Sequence, residues 1–145
     1  MPHSTDELMK LLQKKRSLRS FLQETQDDFV NLSLDGQLNN LLSQHRLKKS
    51  EVIRDAHLDR IYGYQLFNGE KAAPSRDKLL RLVFAMRLTV PEAQTLLRAA
   101  SLPILYPRNR RDALLLFALG RRMTLYDCDA LLSENGEPDL EDNLS

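Results

Sequence analysis

The chain has a single cysteine, Cys128, among 145 residues. It can close no internal disulfide, and a reducing, cytoplasmic setting is expected. The three histidines, His3, His45 and His57, lie far apart, and no cysteine or histidine stands at ligand spacing from them. No metal site is therefore expected, nor any other cofactor. No run approaches the roughly 18 apolar residues that a membrane span requires, and no charged-then-apolar start resembles a signal peptide. A membrane partner is not expected. Alternating β-branched runs are missing as well, which argues against a sheet. There is no glycine-rich phosphate loop, no nucleophile elbow and no carboxylate pair in an apolar context. Cys128 stands between Asp127 and Asp129, which discourage a thiolate, so it reads as a small, semi-buried residue. An enzyme is not expected.

What remains is ordinary in bulk and uneven in charge. The length suits one domain, or one domain with an appended segment, and is enough to bury a core. Residues 1–44 carry five basic and six acidic residues, residues 45–111 fourteen and six, and residues 112–145 two and eight. The local net charges are −1, +8 and −6. A basic middle beside an acidic tail points to an anionic partner for the middle; a surface that only neutralises the tail is the alternative.

Almost every segment reads as helix, with leucine recurring at spacings of three and four. Ser4-Thr5-Asp6-Glu7 reads as a capping box opening a first helix with Leu8, Leu11 and Leu12 on one face. A second short piece follows around Leu18, Phe21 and Leu22. The middle is a string of short helices: one with Leu34, Leu38, Leu41 and Leu42, one from Ser50 with Val52 and Ile53, and one over HLDRIYGYQLFNGE ending at Asn68-Gly69. The fourth starts after Pro74-Ser75, with Arg76, Lys78, Arg81 and Arg87 on its wet side. The fifth is announced by Thr89-Val90-Pro91-Glu92, which combines an N-cap, a proline at the first helical position and a glutamate at the third. LPILYP then reads as an extended connector. Asn109 caps a helix that Gly120 ends, and Thr124 starts a last helix stopped near Asn135-Gly136. The acidic end EPDLEDNLS is expected to fray. No internal repeat is evident.

The frame Val52-Ile53, Leu58, Leu66 and Asn68-Gly69, with Pro74 five residues on and the LLRLVFAMRLTVPEA helix pair after it, resembles the Cro/C1-type (XRE-like) helix-turn-helix family of DNA-binding domains. The resemblance covers roughly residues 37 to 95. It implies a five-helix repressor-type helix-turn-helix bundle; with the helices read on either side, the expected fold is all-α, the bundle carrying an N-terminal helical arm and a two-helix C-terminal extension. The corresponding segments are 1–33 for the arm, 34–101 for the bundle, 102–136 for the extension and 137–145 for the acidic tail. The chain departs from the family at three places: His57 stands at a turn that usually holds a small residue, Gly63 replaces an aliphatic residue, and Phe67 replaces a glutamate. A mid-helix glycine costs on the order of 1 kcal/mol relative to alanine, and Tyr62 or Phe67 folding over the gap is the expected compensation.

The resemblance implies a sequence-specific transcriptional regulator of bacterial or phage type acting on double-stranded DNA. Lys49 falls where the family touches DNA backbone or a base edge. Arg60 and Ile61 fall on the first exposed turn of the recognition helix, where Arg60 suits guanine O6 and N7. Gln65, one turn on, suits adenine, and Tyr64 beside it suits a phosphate or a thymine methyl. Asn68 and Lys71 fall in the loop that follows the phosphates. The plainer readings stand beside these: Tyr62 and Phe67 as core, Arg60 and Lys49 as solvated charges, and His57 as a turn residue with an unusual backbone angle. Family members commonly bind as dimers, and the segment from Leu102 to Leu132 either supplies a homodimer surface or docks on its own bundle. The competing function is a protein-protein interaction module, adaptor or antitoxin-like, on a helix-turn-helix scaffold that has lost DNA binding.

Overall fold

A computed structural model describes residues 33–71 and 73–141. The capping box at Ser4 and the N-terminal arm lie outside the described residues. The fold is all-α, with seven helices and no strand among the described residues: α1 (Leu34–His45), α2 (Lys49–Asp55), α3 (Arg60–Asn68), α4 (Arg76–Ala85), α5 (Val90–Ala99), α6 (Arg110–Gly120) and α7 (Leu125–Glu134). None of these helices is long and apolar enough to cross a membrane.

The starts follow capping chemistry. Ser75, Thr89, Asn109 and Thr124 each accept the backbone N–H three residues on, and Thr89 with Glu92 completes a capping box. Such caps are worth about 1 kcal/mol each because they satisfy otherwise orphaned donors.

The stops are less expected. Six helices end in one turn, a left-handed residue followed by a residue whose N–H returns to the carbonyl five positions back. Its left-handed positions are Arg46, His57, Arg87, Ser101, Arg122 and Gly136. The returning bonds run, for example, from Leu58 to Ile53, from Leu88 to Val83 and from Met123 to Ala118, at 3.0–3.3 Å. Only one of the six uses glycine, although a side chain there costs about 1–3 kcal/mol. An apolar residue follows the left-handed one in five of the six turns, and all five pack on the core. Gly120 is therefore not the stop for α6: it is the last helical residue, and Arg122 takes the left-handed conformation. His57 does adopt the unusual angle expected of it, with φ 56°.

Residues 76–105 and 111–140 form an internal repeat with a constant offset of 35, contrary to the expectation that none exists. Ten of the thirty aligned positions are identical: Arg76/Arg111, Asp77/Asp112, Leu79/Leu114, Leu80/Leu115, Arg87/Arg122, Thr89/Thr124, Leu96/Leu131, Leu97/Leu132, Pro103/Pro138 and Leu105/Leu140. The contacts are reciprocal. Arg76 makes a two-pronged bond to Asp112 (2.9 and 2.8 Å), and Arg111 makes the matching bond to Asp77 (2.9 and 3.0 Å). Arg87 donates to the Arg122 carbonyl while Arg122 donates to the Arg87 carbonyl. Arg76 also holds the carbonyls of Pro103 and Ile104, as Arg111 holds those of Pro138 and Asp139. Helix α7 packs on α4 as α6 packs on α5. The two hairpins are thus related by a local two-fold axis.

Two expectations change as a result. The tail does not fray at its start: Leu140 is fully buried, and Glu141 meets the His57 ring. Residues 142–145 lie outside the described residues. Of the two alternatives for the segment from Leu102 to Leu132, docking on its own bundle is the one seen: one apolar cluster runs from Leu34 to Leu140. Arg81, expected on the wet side of α4, is only 7% exposed, and Arg76 is turned into its ion pair.

Candidate nucleic-acid interface

The α2–α3 pair is built on the same turn as the repeats, with His57, Leu58 and then Asp59 as the cap. The Asp59 carboxylate accepts the Tyr62 N–H at 3.0 Å. At the far end Gly69 takes φ 86°, and the Lys71 N–H closes on the Gln65 carbonyl. Asn39 of α1 donates to the Phe67 carbonyl at 2.7 Å, tying the helix end to the bundle. The inner face of α3 is Gly63, Leu66 and Phe67, all buried. A nine-residue helix has little stability alone, so these ties and this burial fix its direction.

Gly63 is needed for close approach. A Cβ there would lie 2.5 Å from Cγ2 of Ile53 on α2. Ile53 fills the space, so neither Tyr62 nor Phe67 covers it as expected. The same two sites hold Ala93 with Val83 in α4–α5, and Cys128 with Ala118 in α6–α7. As the residue on the second helix grows, its counterpart on the first shrinks.

The outer face of α3 gathers five of the seven expected site residues: Arg60, Ile61, Tyr64, Gln65 and Asn68 line one shallow depression. Ile61 is 69% exposed, while Tyr64 and Gln65 are half-buried. A neighbouring groove between α2 and α3 is lined by Ser50, Ile53, Arg54, Leu58, Arg60 and Tyr64. Ser50 and Arg54 were not singled out in the sequence; their i, i+4 spacing on α2, facing Arg60, was the available signal. Arg54 is bonded to Asp55 at 3.1 Å, both well exposed.

Lys49 and Lys71 stand apart from this depression. The Lys49 ammonium lies 5.5 Å from the Phe67 ring centre, folded back on the helix pair. Lys71 is exposed just past α3. Asn68 is already engaged, donating to the Glu70 carboxylate and accepting the Glu70 N–H, so it shapes the loop. The carboxylates of Asp59 and Glu70 border the face at its two ends. Tyr62 is half-buried on the other side of α3, with the Lys78 ammonium 4.5 Å from its ring; burial raises its phenol above the usual value, against the lowering effect of Arg81.

No described cluster of His, Cys, Asp and Glu side chains is placed to hold a metal ion. Burial, with Asp129 adding to it, pushes the Cys128 thiol up to about 12. That thiol stays protonated at neutral pH. Comparison with protein-family models, with curated proteins and with solved structures finds no match for the chain.

Proposed function

We propose that the protein is a sequence-specific, double-stranded-DNA-binding transcriptional regulator of the repressor-type helix-turn-helix kind, with α2 and α3 as the motif and α3 as the reading helix. Helices α1–α5 then form the five-helix bundle, and α6–α7 its extension. The observation that carries the reading is the division of α3. Its apolar face is locked to α1 and α2, and Arg60, Ile61, Tyr64 and Gln65 share one open surface. A helix of this size fits the major groove. There Arg60 pairs with a guanine edge, Gln65 with adenine, and Ile61 meets a thymine methyl. Ser50, Lys71 and the loop at Asn68 follow the phosphates, with Lys49 swinging off Phe67 to join them. The reading needs neither a cofactor nor a catalytic group, and it places the protein in the cytoplasm. Because α6–α7 buries its apolar side on its own chain, a homodimer through this extension would have to use what stays exposed, chiefly Phe117 and Tyr126.

The second reading, a protein-interaction module, draws on Ile61 as an exposed apolar residue between Asp59 and Glu70. Salt separates the two. On duplex DNA the logarithm of the affinity falls with the logarithm of salt concentration by about 0.9 per phosphate contact. A slope of about −3 or steeper in an anisotropy titration supports DNA; a flat response with a tight protein partner overturns it.

A further inference from the structure

Among the described residues, Arg81 is the one buried cation that the fold does not explain. It is 7% exposed, its Nε has no hydrogen-bond partner, and it forms no ion pair among the described residues. A buried guanidinium without an anion is strongly disfavoured, and native proteins almost always supply one. The repeat shows that the position does not require a charge: its counterpart on α6 is Leu116, and the counterpart of Lys78, one turn before Arg81, is Ala113. The first hairpin therefore carries two cations where the second carries apolar residues.

Both cations line a cavity of about 300 Å³ between α4 and the α2–α3 turn, together with His57, Leu58, Tyr62 and the two carboxylates. Neither carboxylate, Asp59 nor Glu141, forms an ion pair with Arg81 or Lys78 among the described residues. Asp59 accepts the Tyr62 N–H, and Glu141 meets His57 Nδ1. We propose that this cavity is a binding site for a small tetrahedral oxyanion, inorganic phosphate or the phosphoryl group of a small phosphomonoester, held by Arg81 and Lys78. Guanidinium and ammonium groups supply donors from different directions, which suits a phosphoryl group better than a single planar carboxylate. Since His57, Leu58 and Asp59 belong to the same wall, the bound anion braces the turn that aims α3. The site is independent of what α3 itself touches.

The test titrates the full chain with inorganic phosphate and, in parallel, glycerol 3-phosphate, at ionic strength held constant with potassium chloride. Binding is read by calorimetry and by the melting temperature. The proposal expects saturable binding in the millimolar range or tighter and a melting temperature that rises with ligand. Arg81→Leu, which installs the side chain of the second repeat, should weaken binding at least ten-fold and abolish the rise. Lys78→Ala should weaken it several-fold and serves as the deciding variant if Arg81→Leu does not fold. A clear preference between the two ligands identifies the free or the esterified form. Absence of saturable binding by the unaltered chain, or undiminished binding by the variants, overturns the proposal.

Discussion

Residues 76–105 and 111–140 share a backbone plan and differ in what they place on it. Both begin with an Arg-Asp pair that reaches across to its partner, turn on a left-handed arginine, cap with threonine and return a proline-containing strap. In the first hairpin, Gln94 clamps the strap through both the Leu105 N–H and its carbonyl. In the second, Asp129 takes that place and accepts the Leu140 N–H. The first carries Lys78, Arg81 and Arg98; the second carries Ala113, Leu116 and Ser133. The shared Arg-Asp pairs, left-handed arginines and capping threonines hold the common plan, while the first hairpin alone adds Lys78, Arg81 and Arg98, whose counterparts in the second carry no charge.

The comparison extends to α3 and α7, which follow the same turn. Ile61 and Tyr126 occupy the same place on them, 69% and 80% exposed. Around Ile61 stand Arg60, Tyr64 and Gln65, and around Tyr126 stand Asp127 and Asp129. One fold element thus appears with an arginine beside its exposed apolar residue in α3 and with two carboxylates in α7.

The crossed ion pairs offer the largest way to break the symmetry. At Asp112, burial pushes the carboxyl up, but the Arg76 guanidinium and the Tyr106 N–H outweigh it and hold the group below the ordinary carboxylate value. Arg76→Ala leaves Asp112 buried without its partner and should cost about 3 kcal/mol in chemical denaturation. Arg111→Ala frees the more exposed Asp77 and should cost about half of that. Equal losses would mean that the two pairs are energetically equivalent.

Next in size is the close approach at Gly63. Gly63→Ala gains helix propensity but drives a Cβ into Ile53, so a net loss of about 1–2 kcal/mol is expected. Ile53→Val combined with Gly63→Ala recreates the pairing of Val83 with Ala93 and should recover most of that loss. A double variant no better than the single would sink the size-exchange explanation.

The smallest effect lies in the strap. Burial, with Asp139 and Glu141 nearby, pushes Asp129 up to about 6 even though backbone N–H groups oppose the shift. Its contribution is therefore full below the unfolded value near 4 and lost as pH rises through about 6. Asp112 has the opposite sign: its contribution is present above about pH 4 and lost on further acidification. Stability should peak between about pH 4 and 6. Asp129→Gln installs the donor that Gln94 uses and should add about 1 kcal/mol at pH 7 while flattening the decline above pH 5. A variant less stable at pH 7 would show that the two straps are not interchangeable.

The all-α class and the caps at Thr89, Asn109 and Thr124 were legible because capping is local chemistry within four residues. The stops at Asn68-Gly69 and Asn135-Gly136 were legible for the same reason. Arg122 as a stop was not, since a side chain at a left-handed position leaves no glycine to mark it. The repeat stayed hidden because its matching residues are scattered leucines and arginines, whose shared role appears only when Arg76 meets Asp112 across the axis. Of the candidate site, the outward residues of α3 follow from helical spacing. The folding back of Lys49 over Phe67, the engagement of Asn68 with Glu70 and the burial of Arg81 depend on neighbours distant in sequence.

The most direct measurement is selection of the purified protein against a random pool of duplex DNA, with Arg60→Ala/Gln65→Ala in parallel. The account predicts an enriched motif that the double variant loses, with affinity for the selected site falling roughly 10-fold or more. No enrichment at low salt would contradict it, and so would a motif that the double variant reads unchanged.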